Sequence, residues 1–148
     1  MMRALPATGL ALMLPLFLAG CSQPQVDVMF ECASPSGSKV ATLYRVASGD
    51  RPSDIQMKMN VRPATDSFDD SMQSFSFKHG YDAIMHWHSD HEMLVEYPQS
   101  SDITNQEPVI FGSSQTFDAS DAITILYQEK PSTHGYFMVE KRCFSAPE

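Results

Sequence analysis

The feature that most limits what this chain can become is a hydrophobic period of two. Ile55, Met57, Met59 and Val61 are apolar, and Gln56, Lys58, Asn60 and Arg62 between them are polar. Successive side chains of an extended chain point to opposite sides, so only a strand sorts this run into one dry face and one wet face. The same alternation sets Val26, Val28, Phe30 and Cys32 against Asp27, Met29 and Glu31, and it returns in residues 73–78 (QSFSFK). Residues 39–47 (KVATLYRVA) are rich in β-branched and aromatic side chains, which favour a pleated backbone. Residues 82–88 and 92–97 read as a hairpin around Ser89-Asp90-His91. Residues 122–130 and 136–144 read as a second hairpin around residues 131–135, and 109–111 as a short strand. Ser34-Pro35-Ser36-Gly37, residues 48–53 and His79-Gly80 supply turns, and residues 63–71 and 98–107 are polar and loop-like. No stretch sustains a 3.6-residue apolar period. The expected class is all-β, a small antiparallel sandwich or partly closed barrel of seven to eight strands.

Composition bounds the rest. A length of 148 residues allows one ordinary domain. A content of 43% hydrophobic and 19% charged residues is that of a folded chain rather than a disordered one. Ten Lys and Arg against 18 Asp and Glu leave a net charge of −8. That balance argues against nucleic acid, whose phosphates need a basic footprint.

The first twenty residues read as an address. Arg3 is the one charge before Gly9, and GLALMLPLFLAG (residues 9–20) is apolar throughout. Twelve helical residues rise about 18 Å, short of the ~30 Å hydrocarbon core, and Pro15 interrupts them. Leu18-Ala19-Gly20-Cys21 resembles the bacterial lipoprotein lipobox at all four positions. The resemblance implies cleavage before Cys21, a lipid on its thiol and acylation of the new N-terminus. Two or three acyl chains, palmitate among them, anchor firmly at ~0.8 kcal/mol per buried methylene. Ser22 follows where an Asp would favour inner-membrane retention, so the resemblance implies an outer-membrane anchor facing the periplasm. The expected organisation is a signal peptide over 1–20, a short tether over 21–25, and a single all-β domain within 21–148. The domain then carries 9 bases against 18 acids, a net charge of −9.

Cys32 and Cys143 are the two remaining thiols, one near each end of that domain. The compartment implied by the lipobox is oxidising and permits a disulfide, which would set the first and last strands side by side. Two separate buried thiols are the alternative. A metal pair lacks neighbouring His or Cys ligands at suitable spacing.

Other residues were weighed for chemistry. His86 and His88 share one face of a strand and His91 follows in the turn, a spacing that suits zinc or copper. Met57 and Met59 would add thioether ligands for copper(I), although core packing explains them as well. Asp66, Asp69 and Asp70, and Asp118 with Asp121, lack the alternating oxygen pattern of a calcium loop and read as solvated turn residues. No G-x-S-x-G elbow, H-E-x-x-H, Walker loop or glycine-rich dinucleotide turn occurs, so no enzyme is expected and no cofactor is implied.

Two frame-level resemblances complete the reading. Val28-Met29-Phe30-Glu31-Cys32, followed by a polar turn and a strand, is similar to the opening of the lipoprotein inhibitors of C-type lysozyme. With the lipobox, the acidic charge and the end-to-end cysteines, it implies a periplasmic inhibitor or immunity protein against a basic enzyme or toxin. The Ser-Gly-x-x-Tyr-like motif of that family's inhibitory loop is absent, and Gly112-Ser113-Ser114-Gln115-Thr116-Phe117 does not replace it. Residues 34–41 and 87–97 also resemble elements of small periplasmic lipoproteins, and echo each other in the manner of WD-type blades. Two ordinary hairpins with similar turn chemistry account for that echo. The expected role is a lipid-anchored binding module, with metal binding by His86, His88 and His91 as an alternative. An acidic surface suits a basic protein partner.

Overall fold

The computed structural model describes residues 23–80, 82–111, 122–132, 137 and 141–146. Among them lie ten strands: β1 (Gln25–Ala33), β2 (Lys39–Ala47), β3 (Ile55–Pro63), β4 (Phe75–Lys78), β5 (Ile84–Ser89), β6 (Glu92–Pro98), β7 (Asp102–Gln106), β8 (Val109–Phe111), β9 (Ala122–Lys130) and β10 (Cys143–Ser145). A single 3-10 turn, Pro52–Asp54, leads into β3. The strands form two sheets of five, ordered β1-β2-β3-β4-β7 and β10-β5-β6-β9-β8. The all-β class is therefore as expected, as a sandwich of two sheets rather than a closed barrel.

The core follows from the period of two. Met57, Met59 and Val61 of β3 face inward with Ala41 and Leu43 of β2 and Phe75 and Phe77 of β4. From the other sheet, Met85, Trp87, Met93, Val95, Ile123 and Ile125 meet them in one cluster. Phe75 touches three rings, Phe77, Tyr97 and Tyr127, with centroids 5.3, 5.5 and 4.8 Å away. Tilted aromatic contacts of this kind add roughly 0.5–1.5 kcal/mol each beyond the area they bury.

The Cys32–Cys143 disulfide is present, with Cα atoms 5.4 Å apart. The strands it joins are not neighbours in one sheet, as the sequence suggests, but belong to different sheets. Trp87 lies beside this link, and its indole N–H donates to the Cys32 carbonyl at 3.0 Å. Ser145 O–H donates to the Ala33 carbonyl, so β10 is tied to β1 by a hydrogen bond as well.

Four further departures have physical causes. β1 carries a bulge between Val28 and Phe30, which reverses the side-chain parity. Phe30 and Cys32 therefore pack on the core while Val28, predicted to face inward, is 50% exposed. β7 occupies a segment that reads as loop, because Ile103 is its only apolar residue and it lies on a sheet edge, where one flank needs no packing. β6 and β9 run parallel, as do β5 and β10, so the second sheet is mixed rather than antiparallel. Finally, β9 pairs with β6 and β8, and Cys143–Ser145 pairs with β5, so this part of the expected last hairpin forms elsewhere. Most of residues 133–140 lies outside the described residues.

The disulfide closes a loop of 111 residues. Replacing both cysteines with alanine is expected to cost about 5 kcal/mol on the chain-entropy scale. Denaturant unfolding of the double variant, followed by Trp87 fluorescence, measures it.

Candidate functional site

His86, His88 and His91 are the residues that most suggest chemistry, and the structure sends each to its own partner. Met85 and Trp87 point into the core, so His86 and His88 stand on the outer face of the second sheet, as the alternation predicts. His86 Nε2 lies 3.2 Å from Glu96 Oε2, and its ring stacks on Phe144 with centroids 4.8 Å apart and planes 10° from parallel. Glu96 also meets Lys130 Nζ at 3.3 Å, so β10, β5, β6 and β9 are linked across their outer face by a stack, a hydrogen bond and an ion pair. His88 Nδ1 lies 3.0 Å from Glu92 Oε1. His91 Nδ1 lies 3.1 Å from the Ala122 carbonyl. Among the described residues, no three His, Cys, Asp or Glu come together as a metal centre. Met57 and Met59 are buried in the core, away from that outer face.

A second constellation was visible in the sequence only as an echo. The two similar turns touch. Ser36 N–H donates to Asp90 Oδ1 at 3.1 Å, and Lys39 Nζ donates to the Asp90 carbonyl at 3.0 Å. Hydrogen bonds from Ser36 and Ser34 hold the Asp90 carboxyl below the usual carboxylate range, with Lys39 adding a smaller effect. Asp90 thus pins the β5–β6 turn of one sheet to the β1–β2 turn of the other. Gly37 takes φ +74° there, a left-handed conformation open to glycine at no steric cost.

The outer face of the first sheet is covered by its own loop. Tyr44 is fully buried on that face; its hydroxyl donates to the Asp70 and Met72 carbonyls at 3.1 and 3.0 Å, and Phe68 meets its ring edge-on at 5.0 Å. Burial, with Asp70 and Asp69 nearby, pushes the Tyr44 phenol up to about 12. Arg62 ties the same face together, donating to Glu31 Oε1 at 2.8 Å, Thr42 Oγ1 at 2.6 Å and the Asp66 carbonyl at 3.1 Å. The acids of residues 66–70 are therefore loop residues around a tyrosine latch, as expected. Asp118 and Asp121 lie outside the described residues, as do the lipobox positions Leu18, Ala19, Gly20 and Cys21 and the run 112–117.

Asp82 and Arg142 were missed in the sequence. Their carboxylate and guanidinium meet at 2.9 Å, and burial pushes the Asp82 carboxyl up, against the pull of the Ala83 amide and Arg142. Sixty positions separate them, so no local pattern could announce the pair. The buried Glu96 had one weak signal, a lone acid inside an apolar strand.

No helix among the described residues is long and apolar enough to cross a membrane. Comparison with known proteins adds no assignment: no family model, no curated protein and no solved structure matches this chain.

Two outcomes test these arrangements. Truncating His86 to alanine removes the stack on Phe144 and the contact to Glu96, and is expected to cost about 1–2 kcal/mol in thermal denaturation. Glu31 is held below its ordinary value of 4.5 by Arg62 and then Thr42. A depressed carboxyl stabilises the fold above its unfolded value and loses that effect as pH falls through the folded one. The stability gap between the wild type and Glu31→Gln, about 1 kcal/mol for a pair whose carboxylate is half exposed, should be full at neutral pH and close below pH 4.5.

Proposed function

We propose that this chain is a lipid-anchored bacterial envelope protein, tethered through Cys21 to the outer membrane with its β-sandwich in the periplasm, and that it works as a binding module rather than an enzyme. The observation that carries the reading is the run Leu18-Ala19-Gly20-Cys21 at the end of a short apolar stretch that opens with a single positive charge. The disulfide supports it, because such bonds persist in oxidising compartments and are rare in the cytosol. The binding role is supported by the use made of the polar clusters: Arg62, Glu96, Asp90 and Tyr44 each spend hydrogen bonds on joining segments of the fold that are distant in sequence.

A second reading has one specific observation in its favour. The acidic balance, −9 after cleavage, suits an inhibitor or immunity protein that captures a basic enzyme or toxin.

Metabolic labelling with radioactive palmitate tests the anchor. The wild-type chain should incorporate label and float with outer-membrane vesicles. Cys21→Ser should lose both, appearing in the soluble periplasmic fraction. Unchanged membrane association of that variant would overturn the reading.

A further inference from the structure

The edge of the first sheet where the chain enters carries apolar side chains that the core does not use. β1 is the outermost strand of that sheet, with β2 as its neighbour. Val28 pairs with Tyr44, and Val26 with Val46. Tyr44 stands on the outer face, so Val28 opposite it does too. Val26 and Val46, each two residues along from that pair, share the face. The bulge between Val28 and Phe30 is what leaves Val28 outside, because Phe30 and Cys32 turn inward after it. Met29 is the residue left unpaired at the bulge. Val28 is 50% and Met29 38% exposed, and among the described residues no other exposed large hydrophobic side chains adjoin in sequence. Val26 and Val46 are half-buried beside them.

The charges around this patch are balanced. Asp27 is held by Arg45 at 2.6 Å. Arg51, in the turn between β2 and β3, meets Asp54 at 3.3 Å while its side chain stays 83% exposed. On β3, Gln56 lies opposite Val46 and Lys58 opposite Tyr44. Asp27, Asp50 and Asp54 are thus matched by Arg45, Arg51 and Lys58, so this corner is neutral in a strongly acidic chain. The acids of the latch loop lie further along the face, where Asn60 and Tyr44 donate to the Asp69 and Asp70 carbonyls.

We propose that this corner, Val28 and Met29 flanked by Val26 and Val46, is a membrane-contact surface that sits in the interfacial region of the bilayer holding the lipid on Cys21. The contact rests on the anchored reading and adds an orientation to it. The length of the tether selects the occupant. Four residue steps from Cys21 to Gln25 span about 14 Å at most, and three more along the strand add about 10 Å. Val28 therefore stays within about 25 Å of the lipidated residue, and the bilayer is the surface that such a tether always presents. Apolar side chains at the headgroup boundary gain the burial they lack in water, while lysine and arginine stems beside them lie along the apolar layer with their charges among the phosphates. Contact through apolar area is little screened by salt. It turns the outer face of the first sheet toward the bilayer at β1 and the second sheet toward the periplasm.

The test uses the full lipidated chain in phosphatidylcholine vesicles whose acyl chains carry bromine, a contact quencher of indole. Met29→Trp is compared with Val109→Trp, since Val109 is 48% exposed on the outer face of the other sheet, opposite Thr124. Trp87 is buried and gives both the same background. Emission of Met29→Trp should be quenched several-fold more than that of Val109→Trp, equally at low and high salt. Equal quenching of the two, or quenching of Met29→Trp that vanishes at high salt, would overturn the proposal. A second readout needs no added indole. On plain vesicles the amides of residues 26–29 should exchange hydrogen at least threefold more slowly than in the unlipidated Cys21→Ser chain, and Val28→Ser/Met29→Ser should abolish that difference while still lipidated and folded. Equal exchange with and without the lipid would count against the contact. If Cys21→Ser sediments as a dimer that the added Val28→Ser/Met29→Ser disperses, the face joins two copies and the membrane contact falls. Flotation reads the anchor separately: a chain that floats with the vesicles without this pattern keeps the anchor and loses the contact, whereas a chain that fails to float loses both.

Discussion

The junction of Trp87 with the Cys32–Cys143 link organises the molecule. A sandwich is ordinarily held by core packing alone, and each sheet is free to slide until its side chains interlock. Here β10 belongs to the second sheet by its hydrogen bonds and to the first by a covalent bond. Trp87, 1% exposed, fills the space beside the bond and fixes its indole on the Cys32 carbonyl. Its burial is favourable only because that N–H has a partner. At the turn beyond, Asp90 performs the same joining by accepting hydrogen bonds from the Ser36 amide and from Lys39.

How much of this was legible depends on what each signal encodes. Alternation in β3 marks strand, face and core membership together, and all three hold. In β1 the alternation is equally clean, yet one bulge inverts half of it, since a bulge leaves no mark in the hydrophobic pattern. β7 was invisible because a polar edge strand needs little apolar content. Direction and partner were invisible for a different reason: a period of two says which face is dry, not which strand lies alongside, so the parallel pairs β6–β9 and β5–β10 had no signature. The histidines divide in the same way. His86 and His88 are on the outer face where parity puts them, but parity cannot say that Glu96 and Glu92 are their neighbours.

The polar clusters share one property. Arg62, Glu96, Asp90 and Tyr44 each join segments distant in sequence and use their hydrogen-bonding capacity on the fold itself.

The parallel pairs have a consequence for how the domain is made. A chain emerging from its N-terminus can pair β1 with β2 and β3, and β5 with β6, as each arrives, because those neighbours are joined by short turns. The central partner of β6 is β9, and the first sheet's covalent partner is β10, the last two strands in sequence among the described residues. The core cluster therefore cannot close until β9 and β10 are present, and non-local closure of this kind is slow. Half-built, the molecule shows the edge of β6 and the inner faces of Met93 and Val95 to its surroundings, a state that invites association with other strands. Completion waits on β10, and any agent that escorts the emerging chain must hold it until Cys143 is in reach of Cys32.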